Sequence, residues 1–173
     1  PSGNSFSTKL GNDGTALAYT VINSLGDMGS TSGLDLQGMR GNLTRNYALG
    51  GNIDASSSAG WNSNQGFTPV GNATSAFSGN FDGLGHEISG LTMVRTAQLG
   101  GLFGEVGTAG VVRNVNLLGA SFNMQDVSYG GFGAGMLAGR NRGLIDNVNV
   151  SGTMTTGYGI MGGGMVGRNY GTI

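Results

Sequence analysis

The sequence predicts an all-β chain wound as a parallel β-solenoid, and three observations predict it. Glycine fills 37 of 173 positions, two short elements recur through the C-terminal half, and the apolar residues of one element change face at a single Asn or Gly. Glycine is thus about three times as frequent as the usual ~7%. A glycine inside a helix costs about 1 kcal/mol relative to alanine, so a helical bundle is excluded at this density. Collagen needs glycine at every third position with abundant proline, and here there are only 2 prolines. Apolar residues make up 38% of the chain and the net charge is -1, which argues against a solvated coil.

The first recurring element reads aliphatic, polar, Gly or Asn, aliphatic, Thr or Asn, apolar. It occurs as Ile88-Ser89-Gly90-Leu91-Thr92-Met93, as Val112-Arg113-Asn114-Val115-Asn116-Leu117 and as Ile145-Asp146-Asn147-Val148-Asn149-Val150. Ile173 falls where a fourth copy would begin, so the copies start at Ile88, Val112, Ile145 and Ile173, with steps of unequal length. Val115 and Leu117 share one face of a strand, as do Val148 and Val150. Ile145 stands an odd number of positions before Val148, so a flat strand cannot bury all three. A one-residue corner at Gly90, Asn114 and Asn147 resolves the conflict, because Gly and Asn best tolerate left-handed backbone.

A second element stands upstream of the copies that start at Val112, Ile145 and Ile173. Gly101-Leu102-Phe103-Gly104, Gly135-Met136-Leu137-Ala138-Gly139 and Gly164-Met165-Val166-Gly167 align, and Arg140-Asn141-Arg142-Gly143 matches Arg168-Asn169-Tyr170-Gly171. Repeated corners stacked on one another describe a coil. At roughly 25 residues per coil, the chain makes about seven coils, each adding one strand spacing of ~4.8 Å. Residues 35–173 carry this pattern. Residues 1–34 are less regular, rich in Ser, Gly, Thr and Asn, with one stronger strand at Tyr19 to Leu25. The whole of 1–173 reads as a single β-helical segment.

Composition bounds the partners. Charged residues are 10% of the chain and scattered singly, so the clustered cations of a nucleic-acid surface are missing. No apolar run approaches the ~20 residues of a membrane-spanning helix, so no membrane insertion is expected. The absence of cysteine removes disulfides, thiolate metal sites and cysteine nucleophiles together. No cofactor or metal is expected.

Asp82-Gly83-Leu84-Gly85-His86-Glu87 sets the only histidine beside two carboxylates, an arrangement open to general-base or metal chemistry. A glycine turn between strands explains it as well. Asp54, Asp82, Glu105, Asp126 and Asp146 are the acids that a carbohydrate-cleaving β-helix would need to gather on one face, and they lie far apart in sequence. The expectation is a non-catalytic chain. Gly130 to Gly135 reads as a loop or tight corner. Among the aromatics Trp61 and Tyr170, with Arg140 and Arg168, are the candidates for glycan contact, by ring stacking and cationic hydrogen bonding. Arg140 and Arg168 are expected to stack, either as a basic ladder or as a solvated edge that discourages strand pairing.

Phe77-Ser78-Gly79-Asn80-Phe81-Asp82-Gly83-Leu84-Gly85-His86-Glu87-Ile88, followed by Gly-Gly-Leu-Phe-Gly at 100–104, resembles the glycine-rich "GLUG" repeats of filamentous-haemagglutinin-type adhesins. Asn46 to Ala55 and Gly66 to Gly71 resemble the segments preceding such repeats. The likeness covers roughly residues 35–173. It implies a right-handed β-helical stalk on a secreted bacterial surface protein, exported through an outer-membrane two-partner secretion transporter, and working in adhesion to a polysaccharide or surface receptor and in biofilm formation. It also implies that the segment belongs to a longer chain. The alternatives are a dedicated exopolysaccharide-binding module of a biofilm matrix adhesin and, from another class, a carbohydrate-degrading β-helix.

Overall fold

The computed structural model describes residues 3–9, 15–95, 99–125 and 132–173. An antiparallel hairpin of β1 (Ser5–Lys9) and β2 (Ala16–Ile22) opens the chain. Every later named strand pairing is parallel. β3 (Tyr47–Leu49), β4 (Ile53–Asp54), β5 (Asn80–Asp82), β6 (Glu87–Ser89), β7 (Thr92–Arg95), β9 (Val111–Met124) and β12 (Leu144–Thr156) stack into one curved sheet with the hairpin. β8 (Phe103–Val106), β11 (Ala138–Asn141) and β14 (Val166–Asn169) form a second stack, and β10 (Phe132–Gly135) with β13 (Ile160–Gly163) a third. Consecutive parallel strands in register, joined through other sheets, make a β-solenoid.

The solenoid has about five turns, not seven. Register partners Thr20, Tyr47, Phe81, Val112 and Ile145 mark successive coils. The coils are longer than the sequence spacing suggests, because the main strand of a coil carries two corners. In β9 the buried residues are Val112, then Val115 and Leu117, then Ala120, Phe122 and Met124. The face changes once at Asn114 (φ 54°) and again at Gly119 (φ 60°). Segments 80–82, 87–89 and 92–95 of the preceding coil each lie against one of the three straight pieces of β9.

Inward residues of all the stacks share one core. Phe103, fully buried, meets Phe77 at 5.0 Å and Phe81 at 5.5 Å between ring centroids. Aliphatic neighbours such as Leu49, Ile88, Leu117 and Leu137 fill the interior above and below. Gln37 is wholly buried as well. Its amide donates to the Thr68 carbonyl at 2.9 Å and accepts from the Thr68 N–H at 3.0 Å, replacing a strand that the irregular 66–70 segment lacks.

Two readings meet a different structure here. Gly90 does adopt left-handed backbone (φ 70°), but Ser89 pairs with Leu118 and Thr92 with Ser121. Gly90 therefore sits level with Gly119, and the level of Asn114 is occupied in the preceding coil by the Gly83–Gly85 turn. The glycine-rich run ending at Gly135 is a strand from Phe132 onward, held by β13. Asp126, Tyr129, Gly130 and Gly131 lie outside the described residues.

Candidate functional site

Asparagine side chains hydrogen-bond from coil to coil, at the exposed 114/147 and 116/149 pairs and at the wholly buried Asn141. Asn147 Nδ2 donates to Asn114 Oδ1 at 2.9 Å, and Asn149 to Asn116 at 2.9 Å, each bond joining one coil to the next. Asn141 donates to Asn169 Oδ1 at 2.8 Å in the second sheet, and Asn80 to Asn46 Oδ1 at 2.8 Å in the coils before them. Asn114 and Asn147 combine two roles, since their backbones are left-handed (φ 54° and 50°) and their side chains hydrogen-bond between coils. Asn147→Ala is expected to cost about 1.5 kcal/mol, from left-handed strain and the lost amide bond. Asn147→Gly recovers the backbone part only. Urea unfolding midpoints of the two variants check this ordering.

The residues around His86 do not converge. Asp82 is buried beneath the corner, where its carboxylate accepts from Arg113 Nε at 2.8 Å, Asn114 Nδ2 at 3.1 Å and the Leu84 N–H at 2.9 Å. His86 Nδ1 instead lies 3.3 Å from Asn52 Oδ1. Leu84 is left-handed (φ 50°) and Gly85 follows at φ 81°, so the segment is a tight turn anchored by Asp82. Asp54 is exposed and accepts from the Ser56 N–H at 2.9 Å, which holds its carboxyl below the usual aspartate range. Asp146 is also exposed. Among the described residues, no three His, Cys, Asp or Glu side chains group as metal ligands would.

Glu105 is the most connected acid. Its side chain is 5% exposed, and it accepts from Arg140 through both Nε (2.8 Å) and Nη2, and from Arg142 Nε at 3.0 Å. The parallel register places Arg140 between Glu105 on one side and Arg168 on the other. The stack is therefore acid, base, base across three coils, and Arg140 is already engaged by the carboxylate. Tyr170, 57% exposed, lies near both Arg142 and Arg168, whose guanidinium carbons are 5.4 and 5.6 Å from its ring centre. Trp61 is half-buried and stacks on buried Phe67 at 6.5 Å. Asn62, Ser63 and Asn64, which follow Trp61, are all left-handed. Trp61 and Tyr170 thus belong to different neighbourhoods, one against the 66–70 segment and one beside the last second-sheet strand.

One concave feature was not foreseen from sequence. The 3-10 turn Gln37–Gly41, the loop at 71–75, the end of β7 and strands β10 and β11 border a cleft of about 800 Å³. Arg40, Arg95 and Arg140 line it together with Leu43, Pro69 and Phe132. These residues come from separated stretches of chain, so no local motif announced them.

The sequence has relatives among known proteins. The chain is similar to Halomucin of Haloquadratum walsbyi, 41% identical over 142 residues, which is 77% of this chain and 2% of that protein. It is also similar to the Gly-rich membrane protein of Evansella cellulosilytica, 37% identical over 86 residues, 49% of this chain and 10% of the relative. The chain thus spans only a small fraction of the curated relatives it matches. No protein-family model matches it, and no solved structure does.

Proposed function

We propose that the chain is a non-catalytic, adhesive spacer segment of a secreted or cell-surface protein. The observation that carries this reading is the commitment of Asp82 and Glu105, the two buried carboxylates among the described residues, to arginine within a continuous stack of coils. Acids held this way brace neighbouring coils, with their oxygens taken up by arginine, asparagine and backbone donors. The stack itself is an elongating architecture, in which each added coil extends the rod by about 4.8 Å. Likeness to a Gly-rich membrane protein supports a place at the cell envelope. Membership of the filamentous-haemagglutinin-type adhesins, with GLUG repeats, two-partner export and a biofilm role, is the finer form of the proposal, and it draws on the sequence likeness of residues 77–88 and 100–104. Right-handed winding belongs to it as well, supported by the general preference of parallel crossovers.

Attachment of coated beads tests this reading. Beads carrying the chain are expected to bind bacterial cells or biofilm polymer in flow above beads carrying a non-adhesive protein, and Trp61→Ala or Tyr170→Ala to reduce capture if the aromatics supply the contact. Capture no better than the control contradicts the adhesive reading. Release of reducing sugar from a polysaccharide panel contradicts the non-catalytic one.

A further inference from the structure

The cleft between the Gln37–Gly41 turn and strand β11 holds an excess of positive charge. Among the described residues three arginines line it and no acid does. Arg140 is answered by Glu105, which approaches it from the neighbouring coil. Arg95 is not answered by any carboxylate among the described residues. Its Nη2 donates to the Phe67 carbonyl at 2.9 Å and to Thr68 Oγ1 at 3.0 Å, its Nη1 reaches Gln65 Oε1 at 3.5 Å, and its buried Nε has no partner there. All these acceptors are neutral. Arg40 makes no ion pair among the described residues. Burial lowers the Arg95 guanidinium from its ordinary range, and the charge of Arg40 lowers it further. Two cations held near each other, one of them half-buried, without a counter-charge are costly. An anion entering the cleft removes that cost.

The remaining lining decides what sort of anion fits. The cleft is far larger than a single oxyanion, at about 800 Å³, and within the size of small-molecule sites. Pro69, Leu43 and Phe132 give it apolar wall, and the ring of Phe132 offers a surface of the kind that takes the C–H face of a sugar. Guanidinium groups match carboxylate and sulfate oxygens through paired N–H donors. We propose that this cleft binds an acidic saccharide, with a carboxylate or sulfate group between Arg40 and Arg95 and a sugar ring against Phe132 and Pro69. The site does not depend on the adhesive reading, since a spacer without adhesive aromatics could hold the same ligand.

Calorimetric titration of the full chain tests it with four probes: a tetragalacturonate, a sulfated dextran oligomer, the matching neutral dextran oligomer, and inorganic sulfate. The acidic oligomers are expected to bind about tenfold more tightly than the neutral oligomer or inorganic sulfate, with affinity falling as salt rises. Which of the two acidic probes binds more tightly identifies the anionic group. Arg40→Gln, at a position that holds no ion pair among the described residues, is expected to weaken the acidic oligomers about tenfold without lowering the unfolding midpoint, since it relieves the repulsion on Arg95. Arg95→Gln should act in the same direction, and Arg168→Gln should leave binding unchanged. Equal binding of neutral and acidic oligomers overturns the proposal, as does equal binding of inorganic sulfate. No binding by either acidic probe overturns it, as does an Arg40→Gln variant that binds like the unsubstituted chain.

Discussion

Phe103→Ala is expected to lower the unfolding free energy by about 4 kcal/mol. The side chain is fully buried, and it touches Phe77 and Phe81 from outside its own strand. Phe103 stands on β8, in the second sheet, whereas Phe81 stands on β5, in the first. Its ring thus bridges the two stacks across the interior. Removing it leaves a cavity, because the flanking coils are pinned by ladder hydrogen bonds and cannot close on the space. Urea denaturation followed by far-ultraviolet circular dichroism measures the loss. A cost below about 1 kcal/mol would mean that the two sheets do not share one core.

Gly143→Ala is expected to cost about 3 kcal/mol, for a purely steric reason. Gly110, Gly143 and Gly171 form a column across three coils. A Cβ on Gly171 would come within 2.2 Å of the Gly143 carbonyl oxygen, one on Gly143 within 2.1 Å of the Gly110 oxygen, and one on Gly110 within 2.5 Å of the Phe77 oxygen. In each case the obstacle is backbone of the coil beneath, which cannot rotate away. The coils must part locally, and the bonds from Leu144 N to Gly110 O (3.0 Å) and Thr172 N to Gly143 O (2.9 Å) lie within that column. Gly164→Ala is the control. No atom lies within 4 Å of its added Cβ, so the change is expected to stay within about 0.5 kcal/mol. Equal effects at the two positions would contradict the packing described.

Much of the solenoid was legible because its signals are local and recur. The step from Val112 to Ile145 is a true register step, and Arg140-Asn141 lies against Arg168-Asn169 as their sequence match implies. The step from Ile88 to Val112 is not. Ile88 pairs with Leu117, and the partner of Val112 is Phe81. The physical cause is that the corner pattern occurs twice within one coil. Val112-Arg113-Asn114-Val115-Asn116-Leu117 turns at Asn114, and Leu117-Leu118-Gly119-Ala120-Ser121-Phe122 turns at Gly119. The Ile88 copy matches the second turn while resembling the first. Taking a repeat inside one coil for a step between coils shortens the apparent coil and raises the count from five to seven.

The coils before residue 80 were hidden for another reason. Their inward positions, Tyr47, Leu49, Ile53, Phe67 and Val70, are supplied by short strands and isolated bridges broken by 3-10 turns. Alternation never runs long enough there to register as periodicity. The charged cleft was illegible in principle. Arg40 and Arg95 stand far apart in sequence, and only the stacking of coils brings them to one opening. Arg140 matches Arg168 in the sequence repeat, yet its carboxylate partner is Glu105, in the coil before it and outside that repeat match.

Stacking of coils in this register is the claim on which the rest depends, and engineered disulfides test it directly. The chain contains no cysteine, so an introduced pair has no competitor. Ser89 and Leu118 are register partners on adjacent parallel strands, about 4.8 Å apart and within the Cα separation of about 4.4–6.8 Å that a disulfide spans. Ser89 and Arg113 would be partners instead if the step from Ile88 to Val112 were a full coil. Mild oxidation of the Ser89→Cys, Leu118→Cys variant is expected to close an intramolecular disulfide nearly completely, read as loss of free thiol and a faster band on non-reducing gels. The Ser89→Cys, Arg113→Cys variant should keep its thiols. Closure of the second pair in preference to the first would contradict this register and the solenoid built on it.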